Sequence, residues 1–267
     1  MEEVKKEIAT SEMSTATIEQ IYRHASVRQY RPDPLPAEKV EQIVAAGQRS
    51  ATSSNLQTYS VVVVTDLEKR ARLAELCGDQ RFIVEAPAFL AWCADLSRLE
   101  RISQMRGYRQ ESSYVESFLV AAMDAAIAMQ TATLAAESMG LGTCYIGAIR
   151  NEPDKVIELL RLPRLVFPVA GMTLGWPTVE PRRRPRLPLD VVLHWEQYDV
   201  SGEEEALHTY DREMVGLGIY QGRQVPVPGV EGEVEDYGWM EHSARRVSKP
   251  ARTGLRRVLE QQGFELR

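Results

Sequence analysis

The sequence contains few cysteines, and their spacing is not that of a metal or redox pair. Cys77, Cys93 and Cys144 are the three cysteines among 267 residues. An odd number of widely separated thiols forms neither a closed disulfide framework nor a CxxC pair. The chain is therefore expected to fold around a hydrophobic core in a reducing, cytoplasmic compartment.

Several well-known catalytic motifs are also absent from the sequence. It has no GxxxxGK[ST], no HExxH and no GxSxG, which carry phosphate-loop, zinc-protease and hydrolase chemistry. The glycine-rich segment with Gly140, Gly142 and Gly147 does not match the dinucleotide-binding fingerprint. Tyr145 occupies the position of the third glycine, and the segment follows a predicted helix, whereas the fingerprint follows a strand. No metal-ligand spacing links the four histidines, His24, His194, His208 and His242. No metal site is expected.

The charge balance and the apolar runs argue against two classes of partner. With 32 basic and 38 acidic side chains the net charge is −6, which does not favour nucleic acid or an acidic membrane. Residues 1–17 mix Glu and Lys, so no secretory signal is expected. The longest apolar stretch, residues 118–136, contains Asp124 and Gln130, and a central Asp costs roughly 2.5 to 3.5 kcal/mol on insertion. This stretch is predicted to be a buried helix whose small side chains let another helix approach.

The composition that is present is that of an ordinary globular protein. Apolar residues make up 44% and charged residues 26% of the chain. The composition changes beyond Trp176, where an Arg/Pro segment leads to a tail with an acidic loop at residues 225–236. We therefore expect one main domain over residues 17–200 and an extension over residues 201–267, which packs on the body or on a second copy of the chain.

Periodicity predicts alternating helices and strands. Thr17 is predicted to cap a first helix, and Val40, Ile43 and Gly47 lie on one face of a second. Further helices are predicted at residues 67–76, 112–139 and 153–160, and strands at 59–65, 88–94, 143–149 and 166–174. The valine-rich strand at 59–65 is expected to be buried on both faces. Residues 95–111 are expected to be irregular or weakly helical.

Seven short segments occur in an informative order. Any one of their polar residues alone is more typical of a cap, a loop or a solvated charge, and residues 182–186 equally suit a nucleic-acid patch. The segments are His-Ala-Ser-Val-Arg at 24–28, Ala-Thr-Ser-Ser-Asn-Leu-Gln at 51–57, Gly-Asp-Gln at 78–80, Gly-Leu-Gly-Thr-Cys-Tyr-Ile-Gly at 140–147, Arg-Asn-Glu-Pro at 150–153, Leu-Gly-Trp-Pro at 174–177 and Pro-Arg-Leu-Pro at 185–188.

In this order the chain resembles the nitroreductase superfamily, specifically its NAD(P)H-dependent FMN reductases and oxygen-insensitive nitroreductases. The resemblance spans about residues 17–200 and continues more weakly through the tail. It implies an α+β fold with a central mixed, largely antiparallel sheet flanked by helices, and a C-terminal extension. It also implies a homodimer with FMN between the subunits, and the Ala-rich helix at 112–139 is the expected interface.

The resemblance also implies roles for particular residues. The FMN phosphate would be met by His24, Ser26, Arg28 and Arg186, because guanidinium groups bind phosphate in bidentate fashion. Arg28 or Arg184 would lie near flavin N1 and O2. The ribityl and pyrimidine groups would contact Ser53, Ser54, Asn55, Gln57 and Gln80. The ring would lie along Tyr145, Ile146 and Gly147, with Gly147 at flavin N5 and Ala148 where the family pattern has a second Gly. No residue is an evident general acid or base.

The implied activity is ping-pong hydride transfer from NADPH to flavin N5, and from there to nitroaromatic, quinone or flavin acceptors. Arg223, in a Tyr-x-x-Arg segment, would bind the NADPH 2′-phosphate, although Glu231, Glu233, Glu235 and Asp236 follow it. NADH stays open as the donor. The alternatives are a non-enzymatic FMN carrier, a nucleic-acid binder using residues 182–186, and another reaction of the superfamily such as reductive dehalogenation or flavin fragmentation.

Overall fold

The computed structural model describes residues 14–267, in two compact units. One unit contains residues 14–183 together with Gly254–Arg267, and the other contains Arg184–Thr253. The division at residues 200 and 201 stays a prediction. The expectation about a secretory signal concerns mainly residues 1–13, which lie outside the described range.

The predicted helices and strands of the first unit occur in the expected order, and helices at Phe82–Glu85 and Ser97–Met105 are present in addition to them. In chain order they are α1 (Ala16–Tyr22), α2 (Ala37–Gly47), β1 (Tyr59–Val64), α3 (Leu67–Leu76), α4 (Phe82–Glu85), β2 (Ala88–Asp95), α5 (Ser97–Met105), α6 (Val115–Ser138), β3 (Gly142–Ile146), α7 (Pro153–Leu160), β4 (Val166–Gly175), α8 (Glu203–Gly216), α9 (Trp239–Val247) and α10 (Leu255–Gln261). Short 3-10 turns occur at Ser53–Asn55, Gly147–Arg150 and Leu189–Val191.

The four strands form one sheet in the order β1-β2-β4-β3. All three pairings are antiparallel, with Val62 opposite Ala91 and Leu90 opposite Met172. The prediction of a largely antiparallel sheet is confirmed, and among residues 14–267 no parallel pair makes the sheet mixed.

Helices cover both faces of this sheet, and the central strand β2 supplies residues to both. Leu90 and Trp92 pack toward α2 and α6, whereas Phe89 and Cys93 pack toward α3 and α7. This alternation follows the two-residue period of a strand. Every residue of β2 is buried, which is why its sequence is an unbroken apolar run ending at Asp95.

The small residues of α6 allow α2 to approach closely, as predicted. A Cβ added to Gly47 would lie 2.9 Å from the backbone oxygen of Ala128 and 3.2 Å from Cβ of Ala132. By length and composition, α6 is also the one helix of the described residues that could cross a membrane, and 39% of that window is buried inside the protein.

Several local predictions need correction. The first helix is capped by Thr15, whose side chain accepts a hydrogen bond from the Ile18 amide, and not by Thr17. Strand β1 is not buried on both faces, because it lies at the edge of the sheet and Val63 is 41% exposed. A regular helix, α5, occupies most of residues 95–111. Strand β3 ends at Ile146, where the 3-10 turn begins.

The C-terminal helix α10 returns to the first unit. Phe264, just after α10, packs edge-to-face on Phe118 of α6 at 5.2 Å, and Phe118 packs likewise on Phe167 of β4 at 5.9 Å. The Arg267 amide donates to the Ser113 carbonyl at 2.8 Å. These contacts close one end of the core. Within the second unit, α8 and α9 pack through Tyr210 and Trp239, whose rings are 5.5 Å apart.

Candidate functional site

Four polar side chains of helix α6 bind segments that the sequence assigns to the cofactor site. They are Asp124, Gln130, Thr133 and Glu137. They extend over fourteen residues, about 20 Å at 1.5 Å per residue. Helix α6 therefore anchors most of the predicted residues of the first unit at several points along its length.

The first segment is the loop at residues 53–57, which Asp124 holds at both ends. The Ser53 amide donates to Asp124 Oδ1 at 3.0 Å, and the amide and hydroxyl of Thr58 donate to Oδ2 at 3.1 and 2.7 Å. Between these anchors Ser54, Asn55 and Gln57 have φ of 48°, 56° and 52°. Their side chains are exposed. The loop therefore presents polar groups outward from a fixed base.

Arg98 of α5 supports the far end of the same loop. Its Nη1 donates to the Gln57 carbonyl at 2.7 Å, and its Nη2 donates to the Ser60 hydroxyl at 2.9 Å. Asp95 accepts a hydrogen bond from Ser60 at 2.5 Å. Burial alone would raise the pKa of Asp95, but hydrogen bonds from Ser60 and Ser97 and the nearby Arg98 lower it below its usual range.

The second segment, residues 24–28, lies beside β3. The Val27 amide donates to the Thr143 carbonyl at 2.8 Å, and the Tyr30 hydroxyl donates to the Val27 carbonyl at 2.8 Å. Because Val27 points inward in this extended segment, Ser26 and Arg28 on either side of it are exposed. The Arg28 guanidinium lies 5.9 Å from the centre of the Phe82 ring.

His24 is joined to α6 by a short hydrogen bond. Its Nδ1 lies 2.6 Å from Oε1 of Glu137, whose side chain is 7% exposed. The other carboxylate oxygen of Glu137 is buried and has no hydrogen-bond partner among the described residues. A buried acceptor without a donor is uncommon and costs about 1 to 3 kcal/mol. Among residues 14–267, this oxygen is thus left able to accept one further hydrogen bond.

The third segment is the end of β3. The Tyr145 hydroxyl donates to Gln130 Oε1 at 2.8 Å and lies 2.9 Å from the Thr133 hydroxyl, and the residue is 39% exposed. Burial of the hydroxyl raises the pKa of Tyr145. Ile146 is buried in the core, so only its backbone is available to a ligand. A Cβ on Gly147 would meet a single atom, Nη2 of Arg150, at 3.5 Å.

Gln80 is hydrogen-bonded to the end of α3, and it makes no hydrogen bond to α6. Its side-chain amide donates to the Cys77 carbonyl at 2.7 Å, and its backbone amide donates to the Ala74 carbonyl at 3.3 Å. The structure does not bring Gln80 into hydrogen bonding with the other predicted site residues.

The remaining predicted residues belong to the second unit. Arg186 is exposed, and its Nη1 donates to the Arg184 carbonyl at 3.3 Å. Arg223 donates through Nε to the Ile219 carbonyl at 2.8 Å, near the end of α8. The neighbouring Tyr220 ring stacks on His242 at 4.3 Å. Burial, Arg246 and Arg223 together lower the pKa of His242.

The fold and this arrangement define a class of protein: an α+β domain in which one long helix anchors a polar loop, a histidine and a strand end. The chain belongs to the nitroreductase family. The profile described as "Nitroreductase family" matches residues 21–176, and the profile described as "Nitroreductase family, C-terminal domain" matches residues 184–267.

Individual relatives match nearly full length. The FMN reductase [NAD(P)H] of Bacillus subtilis is 37% identical over 93% of this chain and 98% of its own length. The oxygen-insensitive NADPH nitroreductase of Salmonella typhimurium is 34% identical over 94% of this chain and 99% of its own. A solved structure, the NADPH:FMN oxidoreductase from Vibrio harveyi complexed with NAD+, is similar with a TM-score of 0.83 and 34% identity, over 95% of this chain and all of that one.

Sequence reasoning missed the supporting residues of the site. Asp124 was noted only because it interrupts a membrane-like stretch, and Glu137, Thr133 and Arg98 were not singled out. The sequence does contain a signal for Asp124. An acidic side chain within a buried, Ala-rich helix is stable only if it forms hydrogen bonds, so its presence there predicts a polar partner. The pairing of Arg98 with Asp95 is local, but its partners in the loop and in β1 lie 38 to 41 positions away, so no local pattern identifies its supporting role.

Proposed function

We propose that this chain is an FMN-dependent NAD(P)H oxidoreductase that reduces small-molecule acceptors such as nitroaromatics, quinones or free flavins. The observation that supports it most strongly is the near full-length similarity to an FMN reductase and an NADPH nitroreductase. The polar loop, His24 and the end of β3, all held on α6, are the residues at which such a cofactor would bind.

The residues of the first unit suit FMN chemically. His24, Ser26 and Arg28 offer nitrogen and hydroxyl donors for the phosphate, and Ser26 and Arg28 are exposed. The unpartnered oxygen of Glu137 lies in the same corner, where a bound hydroxyl or water would satisfy it. The outward side chains of Ser53, Ser54, Asn55 and Gln57 suit ribityl hydroxyls and the pyrimidine edge. Gln80, Tyr145 and Ile146 complete the proposed set in this unit. Arg184 and Arg186, in the second unit, stay predictions from the family resemblance.

When bound, FMN supplies two-electron chemistry between NAD(P)H and the acceptor. The task of the chain is to orient the partners and exclude water, because hydride transfer needs no general acid or base from the protein. Gly147 leaves open space in front of its Cα, since a Cβ there would meet only Arg150. That space suits the close approach of a flat ring. Donor and acceptor would use this position in turn, which gives ping-pong kinetics.

We propose NADPH as the preferred donor, with Arg223 as the residue that meets the 2′-phosphate. Two of its guanidinium nitrogens already donate to the Ile219 carbonyl, which fixes the orientation of the side chain. The other N–H groups of a guanidinium then have a defined direction for phosphate.

We also propose that the protein is a cytoplasmic homodimer formed through α6. One face of this helix packs on the sheet, while apolar residues spaced four apart on another face are between 43% and 53% exposed. These residues are Val115, Leu119, Met123 and Ile127. A regular apolar stripe of this kind is typical of a face that packs on another helix.

The decisive experiment is a visible spectrum of the purified protein followed by anaerobic addition of NADPH or NADH. A yellow protein whose flavin bands bleach with the nucleotide is the expected result. A protein that binds FMN but is not bleached by either nucleotide would be a carrier, and a colourless protein that ignores added FMN would contradict the proposal as a whole.

A further inference from the structure

The carboxylate of Asp124 is buried in the middle of α6. Asp124 is 2% exposed, and its helix neighbours Ala121, Ala125 and Ala128 are fully buried. Burying a charge is costly unless strong hydrogen bonds compensate it. Among residues 14–267, no ion pair of Asp124 with a Lys, Arg or His occurs within 4 Å. The hydrogen bonds of its side chain must therefore offset the cost of burying the carboxylate.

Those hydrogen bonds all go to the two ends of one loop. Oδ1 accepts from the Ser53 amide, and Oδ2 accepts from both the amide and the hydroxyl of Thr58. Hydrogen bonds to an ionised acceptor are stronger than neutral ones. A single side chain on α6 thus closes residues 53–58 into a fixed arch.

The backbone within the arch needs such support. Ser54, Asn55 and Gln57 are in the left-handed region, which residues with a Cβ rarely adopt. Their own side chains contribute only two long hydrogen bonds, from Gln57 Nε2 to the carbonyl and the side-chain oxygen of Asn55, both 3.4 Å. The Asn55 and Leu56 amides also donate to the Thr52 and Ser53 carbonyls, and Arg98 donates to the Gln57 carbonyl. Asp124 is the side chain that fixes both ends of the loop.

We propose that Asp124 is a positioning residue that holds residues 53–57 in their cofactor-binding shape before FMN arrives. This inference rests on the proposed function, because these loop residues are the ones assigned to the ribityl and pyrimidine groups. A preformed loop lowers the ordering cost of binding. Asp124 therefore acts on FMN affinity, whereas turnover of the FMN-saturated enzyme depends on it much less.

The principal variant is Asp124→Asn, which keeps the size of the side chain but presents an NH2 group to an N–H donor. We expect its apoprotein to bind FMN about tenfold or more weakly than wild type, because hydrogen bonds to a charged group are lost. Hydrogen exchange of residues 51–58 in the apoprotein should become faster. The kcat at saturating FMN should stay close to that of wild type.

Two further variants separate positioning from general damage. Thr58→Val removes only the hydroxyl bond to Asp124 at a buried position, and should give a smaller change in the same two measurements. Ser50→Ala is the matched control, because Ser50 donates to Thr131 on the same helix at 2.7 Å but lies outside the arch. It should leave FMN affinity unchanged.

Each possible result either supports or overturns the proposed role of Asp124. Wild-type FMN affinity and wild-type exchange in Asp124→Asn would overturn it, as would an equal loss of affinity in Ser50→Ala. If Asp124→Asn does not fold, an unchanged Thr58→Val overturns it instead. If wild-type apoprotein binds no FMN, the proposed function is wrong, while the exchange of residues 51–58 in the variants still shows whether Asp124 shapes the loop.

Discussion

At the scale of single residues, this site depends on side chains that connect distant parts of the chain. His24 and Glu137 are 113 positions apart, yet Nδ1 and Oε1 are 2.6 Å from each other. Since the carboxylate fixes one ring nitrogen of the imidazole, the direction of the other nitrogen is set as well. Glu137 therefore sets the direction in which the His24 ring can bind the phosphate in the proposed site.

This arrangement predicts the effect of Glu137→Gln on flavin binding. The variant should weaken FMN binding by roughly threefold to tenfold, because the amide holds the imidazole less firmly than the carboxylate does. Riboflavin, which lacks the phosphate, should bind equally to both proteins in fluorescence titrations. Equal weakening of the two flavins would show that His24 does not meet the phosphate.

A second prediction at this scale concerns Arg223. Replacing it with Ala should raise KM for NADPH roughly tenfold to a hundredfold, because one charge-assisted contact to phosphate is worth about 1.5 to 3 kcal/mol. KM for NADH should change little, since NADH has no 2′-phosphate. Steady-state kinetics with both donors measures the difference, and equal changes would remove the assignment. Arg212→Ala, on the exposed face of α8, is a matched control.

At the scale of secondary-structure elements, close approach between segments decides where the predicted residues lie. A Cβ added to Gly142, the first residue of β3, would overlap the Cβ and both methyl groups of Val27. Val27 also donates its amide to Thr143 in the same strand. The segment carrying His24, Ser26 and Arg28 is thus placed by a glycine that leaves room for it.

Two glycine variants separate this packing role from cofactor contact. Gly142→Ala should lower the free energy of unfolding by about 1 to 3 kcal/mol, because the core is overpacked. Gly147→Ala should leave the free energy of unfolding nearly unchanged, since the added Cβ would lie 3.5 Å from its closest neighbour, Nη2 of Arg150. It should weaken FMN binding if Gly147 lies against the flavin ring. Thermal unfolding of the apoproteins and FMN titration check both statements. A stable Gly142→Ala protein, or unchanged FMN binding in Gly147→Ala, would contradict the respective prediction.

At the scale of the whole molecule, α6 has apolar residues both toward the core and toward solvent. Its inner face is built of Ala and packs on α2 and the sheet, while its outer stripe of four larger residues is about half exposed. Because the same helix carries Asp124, Gln130, Thr133 and Glu137, assembly through the stripe would be linked to cofactor binding.

This linkage predicts the behaviour of a variant on the outer stripe. The double variant Leu119→Glu with Met123→Glu should be monomeric in light scattering, because four like charges would face one another across a two-fold interface. It should also bind FMN more weakly than wild type. Leu67→Glu on α3, where Leu67 is 59% exposed, is the control and should stay dimeric. A monomeric wild type, or a dimeric double variant, would contradict the proposed interface.

The sequence by itself determined the family and most of the secondary structure of the first unit, although not α5. Apolar periodicity located α2, α3, α7 and the strands to within a few residues. A half-buried helix requires apolar residues at helical spacing, and a buried strand requires a short apolar run, so both are visible in the sequence. The ordered short segments led to the nitroreductase family, which the comparisons confirm over residues 21–176 and 184–267.

Only the tertiary structure decided which residues support one another. The edge position of β1, the return of α10 to the first unit and the role of Asp124 all depend on contacts between distant residues. Asp124 reaches Thr58 and Ser53 across 66 and 71 positions, and such a pairing leaves no local periodicity to detect. An acidic residue in an apolar helix indicates that it has a hydrogen-bonding partner. Which residue that partner is depends on how the chain packs in three dimensions.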